Sequence, residues 1–287
     1  MYQLIFNPTA GKKKAVKGLQ TVCELLKARN VAFQVHQTAA IGDAEKIARR
    51  LTRAGADNLI VLGGDGTLHE VLNGIEDPAR CKLGLIPLGT GNDFAEAMGL
   101  PMDVEEAVKI ILNGEAKPVD YLKIGNRRCM NVAGLGMDVE VLEGCQRGKL
   151  KGKIKYLMSL IQCLFSYKGC ALTLESEGKT QERNVLLSAV CNGTQFGGGI
   201  RVCPAAKIDD GKIDVVTVDC IGGVFKLMGA LIVLLRGKIL QYHKTTHFLC
   251  DKVRFVPKKP CTVQLDGELY KNLEMEISVG RGLKMYR

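Results

Sequence analysis

The chain has 287 residues, of which 46% are hydrophobic, so it is long enough for about two domains with their own cores. Its net charge of +10 favours anionic partners such as nucleotide phosphates, nucleic acid or an acidic membrane, although dispersed charge also suits a solvated surface. Eleven cysteines without a C-x-x-C pair argue against a secreted disulfide protein and against a zinc site, and predict a reducing, cytoplasmic location.

The first part of the chain alternates strand-like and helix-like segments. Apolar or alternating runs at 2–7, 32–38, 58–64 and 82–89 predict strands. Helical periodicity follows at 15–30, 42–55, 67–75, 92–100 and 103–115. This order predicts an α/β nucleotide-binding domain over residues 1–120, with a doubly wound, mainly parallel sheet.

The pattern changes near residue 118. Two strands are predicted around a Gly125-Asn126 turn, followed by a Lys-rich helical stretch at 149–167. Short strands at 170–176, 184–192, 213–219, 247–256, 261–266 and 274–279, with one helix near 222–240, predict an antiparallel β-sandwich domain over 121–279. The last segment, 280–287, could return to complete the first domain.

Four glycine-bearing loops each follow a predicted strand and precede a predicted helix: 7–11 (NPTAG), 38–43 (TAAIGD), 63–67 (GGDGT) and 89–93 (GTGND). The carboxyl ends of parallel strands line one crevice, and helix N-termini attract anions. Each loop alone is an ordinary strand-to-helix turn. Four together predict a site for a nucleotide.

Two of these loops carry an aspartate. A carboxylate beside a polyphosphate is repelled unless a metal ion bridges them, so Asp65 and Asp93 imply Mg²⁺. Gly64 and Gly66 flank Asp65 and would allow close backbone approach and a positive φ.

Hydroxyl and ammonium groups accompany the same loops. Thr67 and Thr90 offer hydroxyls to phosphate oxygens. The run 12–14 (KKK) could neutralise phosphate charge, or could begin a solvated helix.

Five motifs, taken in their order along the chain, resemble those of the diacylglycerol kinase catalytic-domain family: NPTAG, GGDGTLHEVLNGI, GLIPLGTGNDFA, PAAKIDDG and VQLDGE. That family includes bacterial soluble diacylglycerol kinases and sphingosine and ceramide kinases. GGDGT alone is shared with NAD kinases, but the ordered set is far more specific and covers essentially the whole chain. The resemblance implies a lipid kinase that uses ATP and Mg²⁺, with its site in a cleft between an α/β domain and a β-sandwich.

The resemblance also implies roles for particular residues. Those expected around ATP are Asn7, Thr9, Thr38, Gly64, Asp65, Gly66, Thr67, Glu70 and Thr90, with Asp65 and Asp93 near the catalytic metal. A second, structural Mg²⁺ is implied at Asp210, with backbone oxygens near Lys207 and Lys212, and a general base is implied at Glu268. From the residues alone, a hairpin turn is the preferred explanation of Asp210-Gly211, and it also explains Asp266-Gly267.

The acceptor implied is a membrane lipid, first of all diacylglycerol, which would give phosphatidic acid. A sphingoid base, ceramide or phosphatidylglycerol remains an alternative, as does NAD, the substrate of an NAD kinase. Apolar stripes with basic ends at 153–167 and 224–239 fit either interfacial helices at the inner membrane face or plain core.

Other classes of protein fit less well. An aromatic content of 5% without tryptophan disfavours a nucleic-acid-binding module, so no nucleic-acid partner is expected. The missing G-x-G-x-x-G after the first strand disfavours a Rossmann dehydrogenase. A homodimer that pairs sandwich edge strands remains open.

Overall fold

The computed structural model describes residues 1–11, 14–147, 163 and 167–287. The chain divides into two compact units, which we call the first unit (Met1–Tyr121 with Gly280–Arg287) and the second unit (Leu122–Val279). The expected Lys-rich helix at 149–167 lies almost wholly outside the described residues, as do Lys12 and Lys13.

Strands and helices alternate through the first unit. They are β1 Tyr2–Phe6, α1 Lys14–Ala28, β2 Phe33–Gln37, α2 Asp43–Arg53, β3 Asn58–Gly63, α3 Asp65–Gly74, β4 Lys82–Pro87, α4 Asp93–Ala97, α5 Val104–Asn113 and β5 Ala116–Pro118. The last strand of the chain, β17 Lys284–Tyr286, also belongs to this unit.

Within the described chain, six strands form one sheet in the order β2-β1-β3-β4-β17-β5. The pairs β1–β2, β1–β3, β3–β4 and β4–β17 are parallel, and only β5 runs antiparallel to its neighbour. The direction of chain progression reverses between β1 and β3, and such a point is where open α/β sheets bind ligands. The predicted α/β, mainly parallel fold is confirmed.

The helices cover this sheet because its central strands β1, β3 and β4 are buried and largely apolar on both faces. Val22 of α1 and Val108 of α5 pack with Leu4 and Leu62 in one core cluster. Helices α2 and α3 pack against each other, and α2 also contacts β1.

The second unit is built largely of strands. They are β6 Tyr121–Ile124, β7 Arg127–Cys129, β8 Val132–Gly136, β9 Cys170–Ser176, β10 Lys179–Cys191, β11 Ile213–Asp219, β12 Thr245–Cys250, β13 Lys252–Pro257, β14 Thr262–Leu265, β15 Glu268–Lys271 and β16 Met275–Gly280. Among the described residues, the α-helices that accompany them are α6 Met137–Arg147 and α7 Val224–Leu235.

The strands of the second unit form an antiparallel, sandwich-like sheet. Its order is β15-β14-β8-β10-β9-β13-β16-β6-β7, and β11 adds to β10 and then pairs with β12. One core cluster includes Leu135, Val190 and Ile277, and a second lies under α7 around Val216 and Leu231. The predicted antiparallel β-sandwich is confirmed.

Several predicted elements have other bounds in the structure, for example the strand expected at 184–192, which begins at Lys179, and the helix expected at 92–100, which ends at Ala97. The segment expected as one strand after the 125–126 turn forms two strands, β7 and β8, which are separated at residues 130–131. Strand β8 ends at Gly136, which has φ +111°, and α6 begins at the next residue. The strand expected at 247–256 is two strands, separated at Asp251. The helix expected to reach residue 240 ends at Leu235, and Gly237 follows with φ +67°.

No helix in the described ranges is both long enough and apolar enough to cross a bilayer.

Gly74 allows α2 and α3 to pack closely. A Cβ at this position would overlap the Glu45 carbonyl oxygen and would lie 2.8 Å from the Ala48 Cβ. We expect Gly74→Ala to lower the free energy of unfolding by about 1–3 kcal/mol, because one helix must move away from the other. Urea unfolding followed by circular dichroism measures this change.

The matched control is Gly229→Ala in α7. A Cβ there meets no atom within 4 Å, so the substitution should leave stability unchanged or raise it by up to about 1 kcal/mol through helix propensity. Equal losses in the two variants would contradict the close-packing explanation.

Candidate active site

The strand order places the four glycine-bearing loops side by side at one edge of the first sheet. Backbone hydrogen bonds continue the ladder beyond the strand ends: Asn7 N–H donates to Leu62 O at 3.0 Å and Thr38 N–H to Phe6 O at 2.9 Å. Leu88 N–H donates to Gly63 O at 2.8 Å. The starts of all four loops are therefore fixed relative to one another.

Asn7 joins the first and third loops at the switch point between β1 and β3. Its Nδ2 donates to Thr67 Oγ1 at 3.0 Å. Its Oδ1 accepts from the backbone N–H and the hydroxyl of Thr9, at 3.0 and 2.8 Å. The structure thus brings three of the expected ATP-site residues together, with Thr67 buried and Thr9 exposed.

Gly64 and Gly89 bring the third and fourth loops into backbone contact. A Cβ on Gly64 would lie 2.8 Å from Gly89 Cα, and a Cβ on Gly89 would lie 2.5 Å from Gly64 Cα. The positive φ expected around Asp65 is wrong: Gly64 has φ −108°, and Gly66 lies in α3 without a positive φ. Residues 64 and 89 must be glycine because their backbones approach too closely for a Cβ, and not because either residue has a positive φ.

Asn92, which sequence reasoning missed, closes the fourth loop. Its Oδ1 accepts from Gly89 N–H at 2.9 Å, and its Nδ2 donates to Gly89 O at 3.1 Å. The backbone of Asn92 is left-handed, with φ +55°, a conformation that asparagine tolerates better than most residues. An asparagine directly before a helix that starts with an acidic residue is the signal that could have revealed it.

The two aspartates proposed to face a metal begin neighbouring helices. Asp65 is the first residue of α3, and its Oδ1 accepts from the backbone N–H of Phe94 at 3.2 Å. Asp93 is the first residue of α4 and is buried, with 6% of its surface exposed. The Asp65–Phe94 hydrogen bond therefore links the two loops that carry the aspartates.

Glu70 has a different setting from the other expected ATP-site residues. Its carboxylate accepts from the backbone N–H groups of Gly42 and Ala44, at 2.9 and 3.0 Å, at the start of α2. It therefore supplies the negative charge that this helix N-terminus favours. Glu70 fixes the shape of the loop that follows Thr38, and the N-terminus of α2 is already occupied by a carboxylate.

Asp43 closes that same loop. Its Oδ2 accepts from the backbone N–H groups of Ala39 and Ala40, both at 2.9 Å. These hydrogen bonds lower the pKa of the Asp43 carboxyl because they favour its charged form.

Thr90 lies on an open cavity of about 530 Å³. Lys14 and Lys17 of α1 line the same cavity, so ammonium groups and the fourth loop face one space. Glu96, Asp103 and Glu105 line it as well, so the cavity carries charges of both signs.

Glu268 is the first residue of β15 in the second unit and is exposed. It pairs with Leu265 across a two-residue turn, in which Asp266 has φ +53° and Gly267 has φ +88°. Positive φ at both central residues is typical of a type I′ hairpin turn. The Asp266-Gly267 turn is thus present, and it sets the position of Glu268.

Side-chain hydrogen bonds hold this turn from both sides. The Asp266 carboxylate accepts from the backbone N–H groups of Met130 and Asn131, both at 2.8 Å. On the other side, Gln264 Oε1 accepts from Gly267 N–H at 2.9 Å. The backbone that carries Glu268 is therefore anchored to the start of β8.

Gln264 continues this chain of hydrogen bonds to a buried carboxyl group. Its Nε2 donates to Oδ2 of Asp138, at the start of α6, at 3.2 Å. Burial raises the pKa of Asp138 to about 7, since desolvation outweighs the hydrogen bond from Gln264. Sequence reasoning missed both residues, because no local motif predicts that they meet.

The expected structural metal loop lies on the surface of the second unit. Asp210 is exposed, as are Lys207 and Lys212, and Asp210 Oδ1 accepts from Lys212 N–H at 3.0 Å. The loop belongs to a long connection, 192–212, between the paired strands β10 and β11. Asp210-Gly211 is therefore not a two-residue hairpin turn, which was the simpler alternative.

Asp138 should make stability depend on pH. Its pKa in the folded state is about 7, against about 4 in the unfolded chain, so the folded state holds a proton that the unfolded chain releases. Stability should therefore fall as pH rises from about 4 to about 7, by up to roughly 4 kcal/mol.

Asp138→Asn keeps the shape of the side chain and removes the titration. We expect the variant to gain stability relative to the wild type at pH 8, with little difference at pH 4. Urea midpoints measured across this range test the expectation. A difference between the two proteins that stays constant with pH would contradict it.

Comparison with known proteins agrees with this architecture. Residues 1–124 match the family model of the diacylglycerol kinase catalytic domain. Residues 131–282 match that of the YegS C-terminal NAD kinase beta sandwich-like domain.

Relatives extend over nearly the whole chain. A diacylglycerol kinase of Staphylococcus aureus is 31% identical and aligns with 96% of this chain and 91% of its own length. A diacylglycerol kinase of Bacillus subtilis is 28% identical and aligns with 93% of this chain and 89% of its own length. The crystal structure of a diacylglycerol kinase from Bacillus anthracis, 29% identical, superposes with a TM-score of 0.80 over 99% of this chain and 96% of its own. The chain belongs to the diacylglycerol kinase family of lipid kinases.

Proposed function

We propose that this protein transfers the γ-phosphate of ATP to the hydroxyl of diacylglycerol at a membrane surface and so produces phosphatidic acid. The observation that carries the proposal is the convergence of the strand-end loops in the first unit, where Gly64 meets Gly89 and Asn7 meets Thr67. Backbone amides and hydroxyls gathered at helix N-termini suit a polyphosphate. The choice of diacylglycerol as the acceptor rests on the relatives, which are named diacylglycerol kinases.

The donor atoms around the loops fit Mg²⁺. Asp65 and Asp93 supply carboxylate oxygens, the hard ligands that this ion prefers. In phosphoryl transfer, Mg²⁺ bound with the nucleotide neutralises charge on the transferring group. Asp65 and Asp93 would hold the ion, while Asn7, Thr67 and Thr90 would orient the phosphates.

Glu268 is our candidate for the general base. It would accept the proton of the attacking lipid hydroxyl as the bond to phosphorus forms. Its rigid support fits this role, because Asp266 and Gln264 fix the turn on which it sits. Positioning within a fraction of an ångström matters for such a base.

The 207–212 loop is our candidate for a second, structural Mg²⁺ site. The Asp210 carboxylate and the backbone oxygens of Lys207 and Lys212 are hard donors of the right class. Bound there, the ion would help fix the exposed loop that precedes β11.

Helix α7 is our candidate for membrane contact. On its outer side, Phe225 is 94% exposed, Ile232 46% and Leu235 49%. Lys226 and Arg236 are also exposed, so apolar and basic groups share this surface as they do on interfacial helices. An acidic inner membrane face would complement both.

A panel assay tests the acceptor. Radiolabelled ATP with Mg²⁺ is offered together with dispersed diacylglycerol, a sphingoid base, ceramide, phosphatidylglycerol or NAD, and labelled product is quantified. We expect diacylglycerol to give the highest kcat/KM and Asp65→Asn to abolish transfer. Faster transfer to another acceptor would replace diacylglycerol as the substrate, and transfer to NAD alone would overturn the lipid assignment.

Glu268→Gln removes the proposed base with minimal change of shape. We expect kcat to fall at least about 100-fold while nucleotide affinity stays unchanged, because a general base acts only in the chemical step. Single-turnover kinetics and nucleotide titration measure the two quantities. Near-normal turnover with intact ATP binding would reject the role.

Phe225→Ser tests the membrane contact. Burial of one phenylalanine contributes about 1.5–3 kcal/mol, so binding to vesicles that contain anionic lipid should fall about tenfold or more in co-sedimentation. Ile41→Ser is the matched control, since Ile41 is 92% exposed but lies in the first unit. Equal binding by the wild type and Phe225→Ser would exclude α7.

A further inference from the structure

Three side chains with metal-binding atoms meet in the second unit, apart from every residue assigned above. They are Cys203 in the 192–212 connection, Asp214 on β11 and His247 on β12. One ligand atom from each lies within 4.8 Å of the other two. The sulfur, nitrogen and oxygen atoms therefore surround one point.

The β-ladder explains why two of them meet. In the β11–β12 pair, Asp214 is opposite Leu249, and Val216 is opposite His247. Asp214 and Val216 point to the same face of the sheet, so Asp214 and His247 are diagonal neighbours on that face. The result is a contact of 2.6 Å between Asp214 Oδ1 and His247 Nε2.

The long connection between β10 and β11 brings in the third side chain. Cys203 N–H donates to Thr194 O at 3.1 Å, which fixes the backbone there. Its Sγ lies 3.8 Å from His247 Nε2. Cys203 is a free thiol and fully buried, and Asp214 is 2% exposed.

This geometry does not fit a cysteine–histidine–aspartate catalytic triad. In a triad the nucleophile and the carboxylate use different ring nitrogens of the histidine. Here the thiol and the carboxylate both approach Nε2. Because both groups approach Nε2, the sulfur, nitrogen and oxygen atoms face one common point, where a proton or a cation can lie.

We propose that Cys203, Asp214 and His247 bind one thiophilic divalent ion, with Zn²⁺ as the preferred ion and water as its fourth ligand. Thiolate, imidazole and carboxylate are the donors that zinc sites use, whereas Mg²⁺ and Ca²⁺ take oxygen donors. The exposed part of the His247 side chain, 23%, leaves a route for the ion and for the water.

The distances fit after a small adjustment. Tetrahedral ligands at zinc bond lengths lie about 3.5 Å apart, close to the Cys203–His247 separation of 3.8 Å. The His247–Asp214 contact must widen from 2.6 Å by under about 1 Å. Binding displaces the thiol proton of Cys203 to solvent and leaves the remaining histidine proton on Nδ1.

The ion would fix a loop. Cys203 and Asp214 lie on either side of residues 204–213, which include the exposed Asp210 loop. A metal bound by both residues would link the two ends of this segment, and its third ligand, His247, would link them to β12. The site is therefore structural, and it does not depend on the proposed lipid kinase reaction.

Metal analysis of the full chain tests the proposal. Protein is stripped with a chelator under a phosphine reductant, loaded with Zn²⁺ or Co²⁺, and desalted. We expect one tightly held ion per chain, a thiolate-to-Co²⁺ charge-transfer band and the visible bands of a tetrahedral ion. Loading should also raise the Tm in a concentration-dependent way.

Cys203→Ser and His247→Gln should each weaken metal affinity at least about tenfold, and Cys203→Ser should remove the charge-transfer band. The matched control is Cys250→Ser, which removes another buried thiol on the same strand as His247 and should retain the ion. If His247→Gln fails to fold, Cys203→Ser, a change of one atom, still decides. An unaltered Co²⁺ spectrum in Cys203→Ser, or no retained ion in the wild type, would overturn the proposal.

Discussion

The contact between the backbones at Gly64 and Gly89 is the constraint on which the candidate site depends. Two loops that follow neighbouring strands can touch only if neither carries a Cβ at that point. Because they touch, the starts of α3 and α4 lie together, and Asp65 can accept a hydrogen bond from Phe94. Asn7 and Asn92 then lock the surrounding backbone through side-chain hydrogen bonds.

In the second unit, backbone geometry and hydrogen bonds likewise fix the turn that carries Glu268. Glu268 sits on a tight turn that cannot vary its shape freely, since both central residues have positive φ. Hydrogen bonds from the turn reach the start of β8 through Asp266 and the start of α6 through Gln264 and Asp138. A buried carboxyl that keeps its proton, as Asp138 does up to near neutral pH, avoids the cost of an isolated charge in this network.

Periodicity and loop chemistry predicted the α/β and β-sandwich architecture, because patterns such as 58–64 followed by GGDGT are local. The errors were local too: the positive φ of Gly136 and the break at Asp251 interrupted segments whose composition alone reads as continuous strand. The role of Glu70 at the start of α2 could not be predicted, since its partners lie 28 and 26 residues away. The Cys203, Asp214 and His247 cluster has no C-x-x-C spacing, and only the register of β11 and β12 brings it together.

The position of β17 has a consequence for synthesis on the ribosome. Lys284–Tyr286 lies between β4 and β5, so within the described chain Ala116–Pro118 joins the sheet only through a strand made more than 160 residues later. The whole second unit emerges in that interval, before the strand that completes the first sheet. Until β17 arrives, the edge of β4 carries unpaired amides and carbonyls, and a chaperone or a second nascent chain could pair with them.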